Sequence, residues 1–475
     1  MAGENPPKRR RGRRANADRI PTSRWARAAQ IGTLAAGQAV RQSATRAANV
    51  ARSDEAATAA MSKRQLETAE QIVTALGTMK GAAMKVGQVL SFLDVGLVPE
   101  EHREEFQKKL ATLRDAAPKV SFKDMKKVIE TEYDDKLENI FDSFDEEPIA
   151  AASIGQVYKA VHGGREVAVK VQYPGVNNAV RADLQNMGLI LRLMKSVAPG
   201  IDVKQVAGEI RERVEEELDY ELEAANQHAL ARVYRGHPFI VIPDVIRELS
   251  RERVIVTEFV RGRGFEDFKQ DSQEDRNRYG EIIFRFFFGS MYRHLQFSGD
   301  PHPGNCILME DGQRMAFLDF GLFKRMSRAS ADFELQSQRY GIEGRGDDLI
   351  AHMHEGGWIG KPEHYNGEDI ITQFHDLVGW YSLDADMQLS PELATDVMIT
   401  ASDPRSEYWG KIRHVTMPTE HIFARRLEGL TLAVLGQLRA TNNWHRIARE
   451  WIYGDEPVTE LGRAEAAWAA DRGSA

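Results

Sequence analysis

The stretch GQVYKAVHGGREVAVKVQY, Gly155 to Tyr173, leaves the chain little choice of local fold. Apolar and polar residues alternate on both sides of HGGR, the period-2 pattern of strands with one buried face. Gly163 and Gly164 stand where a two-residue turn needs positive φ, so the two runs read as a β-hairpin. A lone hairpin is at best marginally stable in water, so the flanking sequence has to cover it.

Those flanks are mostly helical. From Met61 to Ala117 β-branched residues are few and apolar positions recur at three and four spacing, with Pro99 and Pro118 as breaks. Ser121 stands as the N-cap of a further helix in SFKDMKKVIETEY. A long helical stretch follows the hairpin, from Val180 to about Tyr234, broken at APGID. VIPDVIRELSRERVIVTEFVRG reads as two short strands joined by a charged turn. Beyond GRGF the chain is helical, interrupted by the patches NCILM and RMAFLDFG on either side of EDGQ. Trp444 and Trp451, seven apart, belong to the core of a late helix.

The expected class is therefore α+β with two lobes: residues 1–60 a basic tail, 61–147 a helical extension, 148–262 a small sheet-bearing lobe, 263–400 a helical lobe, and 401–475 a C-terminal helical region. A chain of 475 residues is too long for one core. The single cysteine, Cys306, excludes an internal disulfide framework and reads as a small buried residue. No run approaches the roughly 18 apolar residues of a membrane span, and IIFRFFFGSMY carries Arg285. The expectation is a cytoplasmic protein with at most peripheral contact on a membrane's inner face.

Charge is unevenly spread. Residues 1–52 hold twelve Lys or Arg against Glu4 and Asp18, a balance of +10, so the net charge of −8 leaves −18 for the remainder. KRRRGRR, Lys8 to Arg14, reads first as a solvated tail and second as a surface for anionic lipid or nucleic acid. SRWARAAQIGTLAAGQAVRQ fits a basic amphipathic helix on a bilayer, and equally a helix packed on the protein's own body.

The hairpin also opens a chemical motif. In PIAAASIGQVYKA, Ala150, Ala152, Gly155 and Val157 stand where a phosphate-covering loop has G-x-G-x-x-G-x-V. Thirteen residues after Val157, Lys170 ends VAVK and would point beneath that loop toward the α- and β-phosphates of a nucleotide. Such a lysine needs an anionic partner, and EEELDYELEAAN offers Glu216, Asp219 and Glu223 on one helix face with Glu217 beside them. FSGDPHPGN then places Asp300 five residues before Asn305, and Asp319 follows fourteen later in LDFG. Asp300 on its loop can orient or deprotonate an attacking hydroxyl or water. Asn305 and Asp319, on the arms of one hairpin, can bring two oxygens to one Mg²⁺ that bridges nucleotide phosphates. Each motif alone is weak; their order along the chain is specific to phosphoryl-transfer chemistry. His302 within DPHPG reads as a loop-holding residue. In VTEFVRG the backbone of Glu258 to Val260 would meet an adenine edge.

Two features depart from an ordinary protein kinase. Ser298-Gly299 precedes Asp300 in place of a His-Arg pair, and LFKRMSRASADFELQSQRYG reads as helix where a substrate-docking A-P-E segment would follow.

Taken together these residues resemble the UbiB (aarF) family of atypical kinase-like proteins over roughly residues 75–325. The family's K-x-G-Q is matched by Lys85-Val86-Gly87-Gln88, its alanine-rich loop by Ala150-Ala151-Ala152-Ser153, and its E-x-D by Glu217-Leu218-Asp219. The resemblance implies that the helix bearing Lys85 and Gln88 folds over the nucleotide cleft. Lys85 would meet Glu217 and Asp219, Gln88 would lie near the phosphates, and Glu223 would be the partner of Lys170. It also implies an ATPase or unorthodox kinase, with ATP or ADP and Mg²⁺, supporting isoprenoid quinone or lipid metabolism at membranes. A nucleotide-gated module that grips a lipid or protein partner without chemistry is the rival reading, and retention of Asp300, Asn305 and Asp319 argues against it. A nucleic-acid binder rests on the Arg-rich tail alone.

Overall fold

The computed structural model describes residues 120–473 apart from Ser153, 182–183, 185–217, 403–414 and 416. The basic tail, the helical segment with Lys85 and Gln88, and Glu217 lie outside the described residues.

Helix α1 (Phe122–Tyr133) starts where the Ser121 side chain accepts from the Asp124 amide and stops at Asp134, which adopts left-handed φ. Its buried residues are Met125, Val128 and Ile129, and the helix lies against the sheet that follows. That sheet is built from β1 (Ser143–Phe144), β2 (Ala150–Ala151), β3 (Gly155–His162) and β4 (Arg165–Gln172). β3 and β4 form the expected hairpin, closed by His162 opposite Arg165 with Gly163 and Gly164 at φ 57 and 74°. The alternation puts Tyr158, Ala160, Val167, Val169 and Val171 inside, each at most 2% exposed. Helix α2 (Tyr220–Val233) is inserted next, then β5 (Ile240–Val241) and β6 (Val254–Glu258). Strand order is β1-β3-β4-β6, with β2 also on β3 and a bridge from Val245 to Thr257.

After β7 (Gly262–Gly264) the chain enters the helical lobe through α3 (Gln273–Tyr292), capped by Ser272. Every residue of α3 from Tyr279 onward is buried, so the helix forms the axis of the lobe rather than a surface element. β8 (Gln296–Ser298), β9 (Cys306–Met309), β10 (Met315–Phe317) and β11 (Phe323–Arg325) follow. β9 and β10 pair as the anticipated tight hairpin, in a sheet of order β5-β10-β9-β7, while β8 pairs with β11.

The segment after LDFG differs from the sequence expectation. It begins as strand β11, because Phe323 pairs with Ser298 and is buried, and only then becomes helix α4 (Arg328–Ile342), capped by Ser327. The rest comprises α5 (Gly346–Glu355), α6 (Gly367–Ser382), β12 (Met387–Gln388), α7 (Pro391–Ser402), α8 (Thr419–Leu438), β13 (Thr441–Asn442), α9 (Trp444–Ile452) and α10 (Glu460–Gly473). Trp444 and Trp451 are both buried in the core that surrounds Phe284 and Phe288 of α3.

Arg285 explains why the apolar run on α3 carries a charge. Fully buried, it donates to Glu281 at 2.7 Å, Glu450 at 2.6 and 2.9 Å, and Glu465 at 2.9 Å. Arg293 adds contacts to Glu450 and Glu465, so α3, α9 and α10 meet at one ionic knot. Among the described residues no helix is long and apolar enough to cross a membrane.

Candidate active site

Register decides what lies beneath the loop. Val157 on β3 is opposite Lys170 on β4, which is opposite Ile255 on β6, and opposed residues share a face. Lys170 reaches from that face to α2, where its Nζ lies 2.6 Å from Glu223 Oε1 and 5.1 Å from the centre of the Tyr220 ring. The Glu223 side chain is 2% exposed. Burial works against the lysine's charge, but the carboxylates of Glu223 and Asp319 more than offset it and hold the ammonium well above its usual pKa. The site therefore holds a fixed cation.

Helix α2 presents Glu223 because it begins at Asp219, whose carboxylate accepts from the Leu222 amide at 2.9 Å. An acidic N-cap complements the helix dipole. Asp219 thus caps the helix, while Lys85 and Glu217, with which the motif associates it, are outside the described residues.

The loop itself closes tightly. Ala150 pairs with Val157, Ala151 with Gln156, and the Ala152 amide donates to the Gly155 carbonyl at 2.8 Å. Ala150 and Ala151 are exposed at the tip, and Ser153 lies outside the described residues. Gly155 is required by close approach: a Cβ there would stand 2.3 Å from the Val171 carbonyl oxygen and 3.0 Å from the Tyr220 hydroxyl.

On the opposite wall the pairing of β8 with β11 ties the Asp300 loop to LDFG. The Gly299 amide donates to the Leu322 carbonyl at 2.7 Å, and the Ser298 hydroxyl to the Asp319 carbonyl at 3.1 Å. These bonds occupy the two positions where an ordinary kinase has His-Arg. His302 Nδ1 accepts from the Gly304 amide at 3.0 Å and caps the turn Pro303–Asn305, the loop-holding role read from the sequence. The Leu318 amide donates to the Asn305 carbonyl at 3.1 Å, so Asn305 and Asp319 sit at the same end of the β9–β10 hairpin. Asp319 Oδ1 accepts from the Gly321 amide at 2.9 Å. A Cβ on Gly321 would lie 3.4 Å from that oxygen and 3.6 Å from Glu223 Oε2, so both carboxylates border one glycine.

The structure thus brings Lys170, Glu223 and Asp319 together, with Asn305 at the base of the Asp319 arm. Asn305 and Asp319 offer an amide and a carboxylate oxygen, a hard donor pair of the kind Mg²⁺ takes when phosphates and water complete its shell. At the strand β6 exit, the Glu258 and Phe259 amides donate to the carbonyls of Asp244 and Glu166 at 3.0 and 3.3 Å. The Glu258 side chain accepts from the Asp244 amide at 3.0 Å, and Val260 follows at the mouth of the cleft. Cys306 is buried, as the sequence suggested, and that burial pushes its thiol up to about 12.

Sequence reasoning missed Arg426. It projects from α8 to within 4.0 Å of Asp300 Oδ1, with its side chain 13% exposed, and burial draws its guanidinium down to about 10. The signal was the doublet Arg425-Arg426 inside the apolar periodicity of IFARRLEGL.

Residues 112–336 match the ABC1 atypical kinase-like domain. The atypical kinase coq-8 of Caenorhabditis elegans, mitochondrial, is 27% identical over 82% of this chain and 52% of its own length. The rat atypical kinase COQ8B, mitochondrial, is 30% identical over 59% of this chain and 53% of its own length. The chain spans about half the length of these curated relatives. Among solved structures, the Mycobacterium tuberculosis Rv3197–erythromycin complex matches with a TM-score of 0.61 and 32% identity, over 84% of this chain and 98% of that one.

Proposed function

Because the chain belongs to the ABC1 family of atypical kinase-like proteins, we propose that its cleft binds Mg·ATP and that the protein is an ATPase or unorthodox kinase serving isoprenoid quinone or lipid metabolism at a membrane surface. The observation that carries this reading is the Lys170–Glu223 contact of 2.6 Å with Asp319 beside it. A structural ion pair has no need of a third carboxylate on a separate loop. A phosphate-gripping lysine poised next to a metal ligand does.

In this reading Lys170 holds the α- and β-phosphates and Glu223 fixes its position. Ala150, Ala151, Ala152, Ser153, Gly155 and Val157 roof the phosphates. The Glu258 and Phe259 amides are already bonded within the protein, so the adenine edge meets the Val260 backbone. Asn305 and Asp319 would hold Mg²⁺, whose charge when bound would offset that of the phosphates. Asp300 orients the attacking hydroxyl or water and takes its proton, with Arg426 keeping the carboxylate in place. Lys85, against Glu217 and Asp219, and Gln88, near the phosphates, complete the cleft from the preceding helical segment.

Mg·ATP turnover measured with and without phosphatidylglycerol vesicles tests this. Turnover that rises with vesicles and drops by about 10²-fold or more in Asp319→Asn supports it. Absence of turnover with Mg-nucleotide binding intact overturns it in favour of a nucleotide-gated module.

A further inference from the structure

Away from the cleft, helices α4 to α8 line a cavity of about 470 Å³. Protein interiors pack with few voids larger than a water molecule, and pockets for small organic ligands occupy roughly 300–1,000 Å³. The wall is apolar, with Met353, Trp358, Phe374, Leu377, Trp380 and Val397 among its residues. None of the cleft residues discussed above lines it.

One part of the lining is polar: Glu334, Gln338, Arg425 and Glu428. Most of its hydrogen-bonding capacity is spent internally. Glu334 engages His421 at 2.7 Å and Arg425 at 2.5 Å. Glu428 accepts from the Tyr381 hydroxyl at 3.1 Å and pairs with Arg425 at 2.9 Å. Gln338 donates to the Tyr292 hydroxyl at 2.7 Å. Two buried atoms are left without a hydrogen-bond partner among the described residues: Gln338 Oε1, an acceptor, and Arg425 Nε, a donor. Gln338 is 1% exposed, so its unmet acceptor lies inside the protein. An unmet buried acceptor costs stability, and a ligand that supplies the partner recovers it.

We propose that this cavity is a binding site for a neutral, mainly apolar small molecule carrying one hydroxyl or amide head. Such a head both donates and accepts, matching Gln338 Oε1 and Arg425 Nε, whereas Glu334 and Glu428 repel a carboxylate head. The site lies one residue from the cleft along α8, since Arg425 lines the cavity and Arg426 faces Asp300.

Isothermal titration of the full chain with 1-octanol, 1-methoxyoctane and octanoate tests the proposal without reference to turnover. Octanol binds saturably. The ether, which has no donor, and the anion each bind about fivefold or more weakly. Gln338→Leu brings octanol to the level of the ether, and Val397→Phe, which fills the cavity, weakens octanol about tenfold with an unchanged or raised thermal midpoint. If Val397→Phe fails to fold, Gln338→Leu carries the test. The proposal is overturned if octanol gives no saturable heat, or if neither variant changes its affinity.

Discussion

At the scale of single residues, the cleft depends on an ammonium whose charge burial alone disfavours. Lys170 keeps its charge because Glu223 and Asp319 face it, and Glu223 is almost fully enclosed. Glu223→Gln retains the shape and removes the countercharge, which should destabilise the fold by about 2 kcal/mol, read as a lower urea midpoint with an unchanged slope. An unshifted midpoint would mean that the pair is solvated and interchangeable. Much at this scale was legible beforehand. Asp300, Asn305 and Asp319 fall within one strand, loop and hairpin, so local geometry brings them together, while Lys170 follows from its register on the first hairpin and meets them only through the packing of the two lobes. Arg426 was not legible as a neighbour of Asp300, because 126 residues separate the two and only the packing of α8 joins them.

At the scale of elements, the loop between β2 and β3 and the knot beneath α3 behave differently. Ala152 donates its amide across a tight hairpin tip, and its methyl group limits φ and, under the proposed function, the space left for phosphates. Ala152→Gly should shift the ratio of ATP to ADP affinity or raise autophosphorylation; identical values for both would remove the alanines from any role in nucleotide geometry. Arg285 is a packing device rather than a chemical one. Arg285→Met leaves Glu281 buried without its cation and Glu450 and Glu465 with Arg293 alone, and should cost about 4 kcal/mol. Limited proteolysis should then cut between α9 and α10, whereas an uncut chain with normal stability would show the knot to be dispensable. The hairpins were legible because alternation and paired glycines are local signals. Strand β11 was not, because three residues next to a helical pattern become a strand only when β8 offers its edge.

At the scale of the whole molecule, α2 belongs to both lobes. Its N-terminal turns deliver Glu223 to the sheet, while Leu230 and Ala231 sit in the same core as Phe284 and Trp444. From the far side α10 reaches back: Arg472 donates to the Val233 and Arg232 carbonyls, and Trp468 to that of Arg235. A helix held at both ends has little freedom to swing. Amide exchange over Leu230–Tyr234 should accordingly be slow and should not change on adding Mg·ADP, and faster exchange without nucleotide would reveal a mobile α2. By itself the sequence determined the two-lobed α+β class, the hairpins and the order of the motif residues, because these rest on periodicity, turn chemistry and spacing within short stretches. Only the tertiary structure decided that α2 is anchored from below, that Arg426 comes within 4.0 Å of Asp300, that Arg285 is buried among carboxylates, and that a cavity opens beside α8. Each of these depends on contacts between segments far apart in the chain, where no local preference specifies which side chains meet.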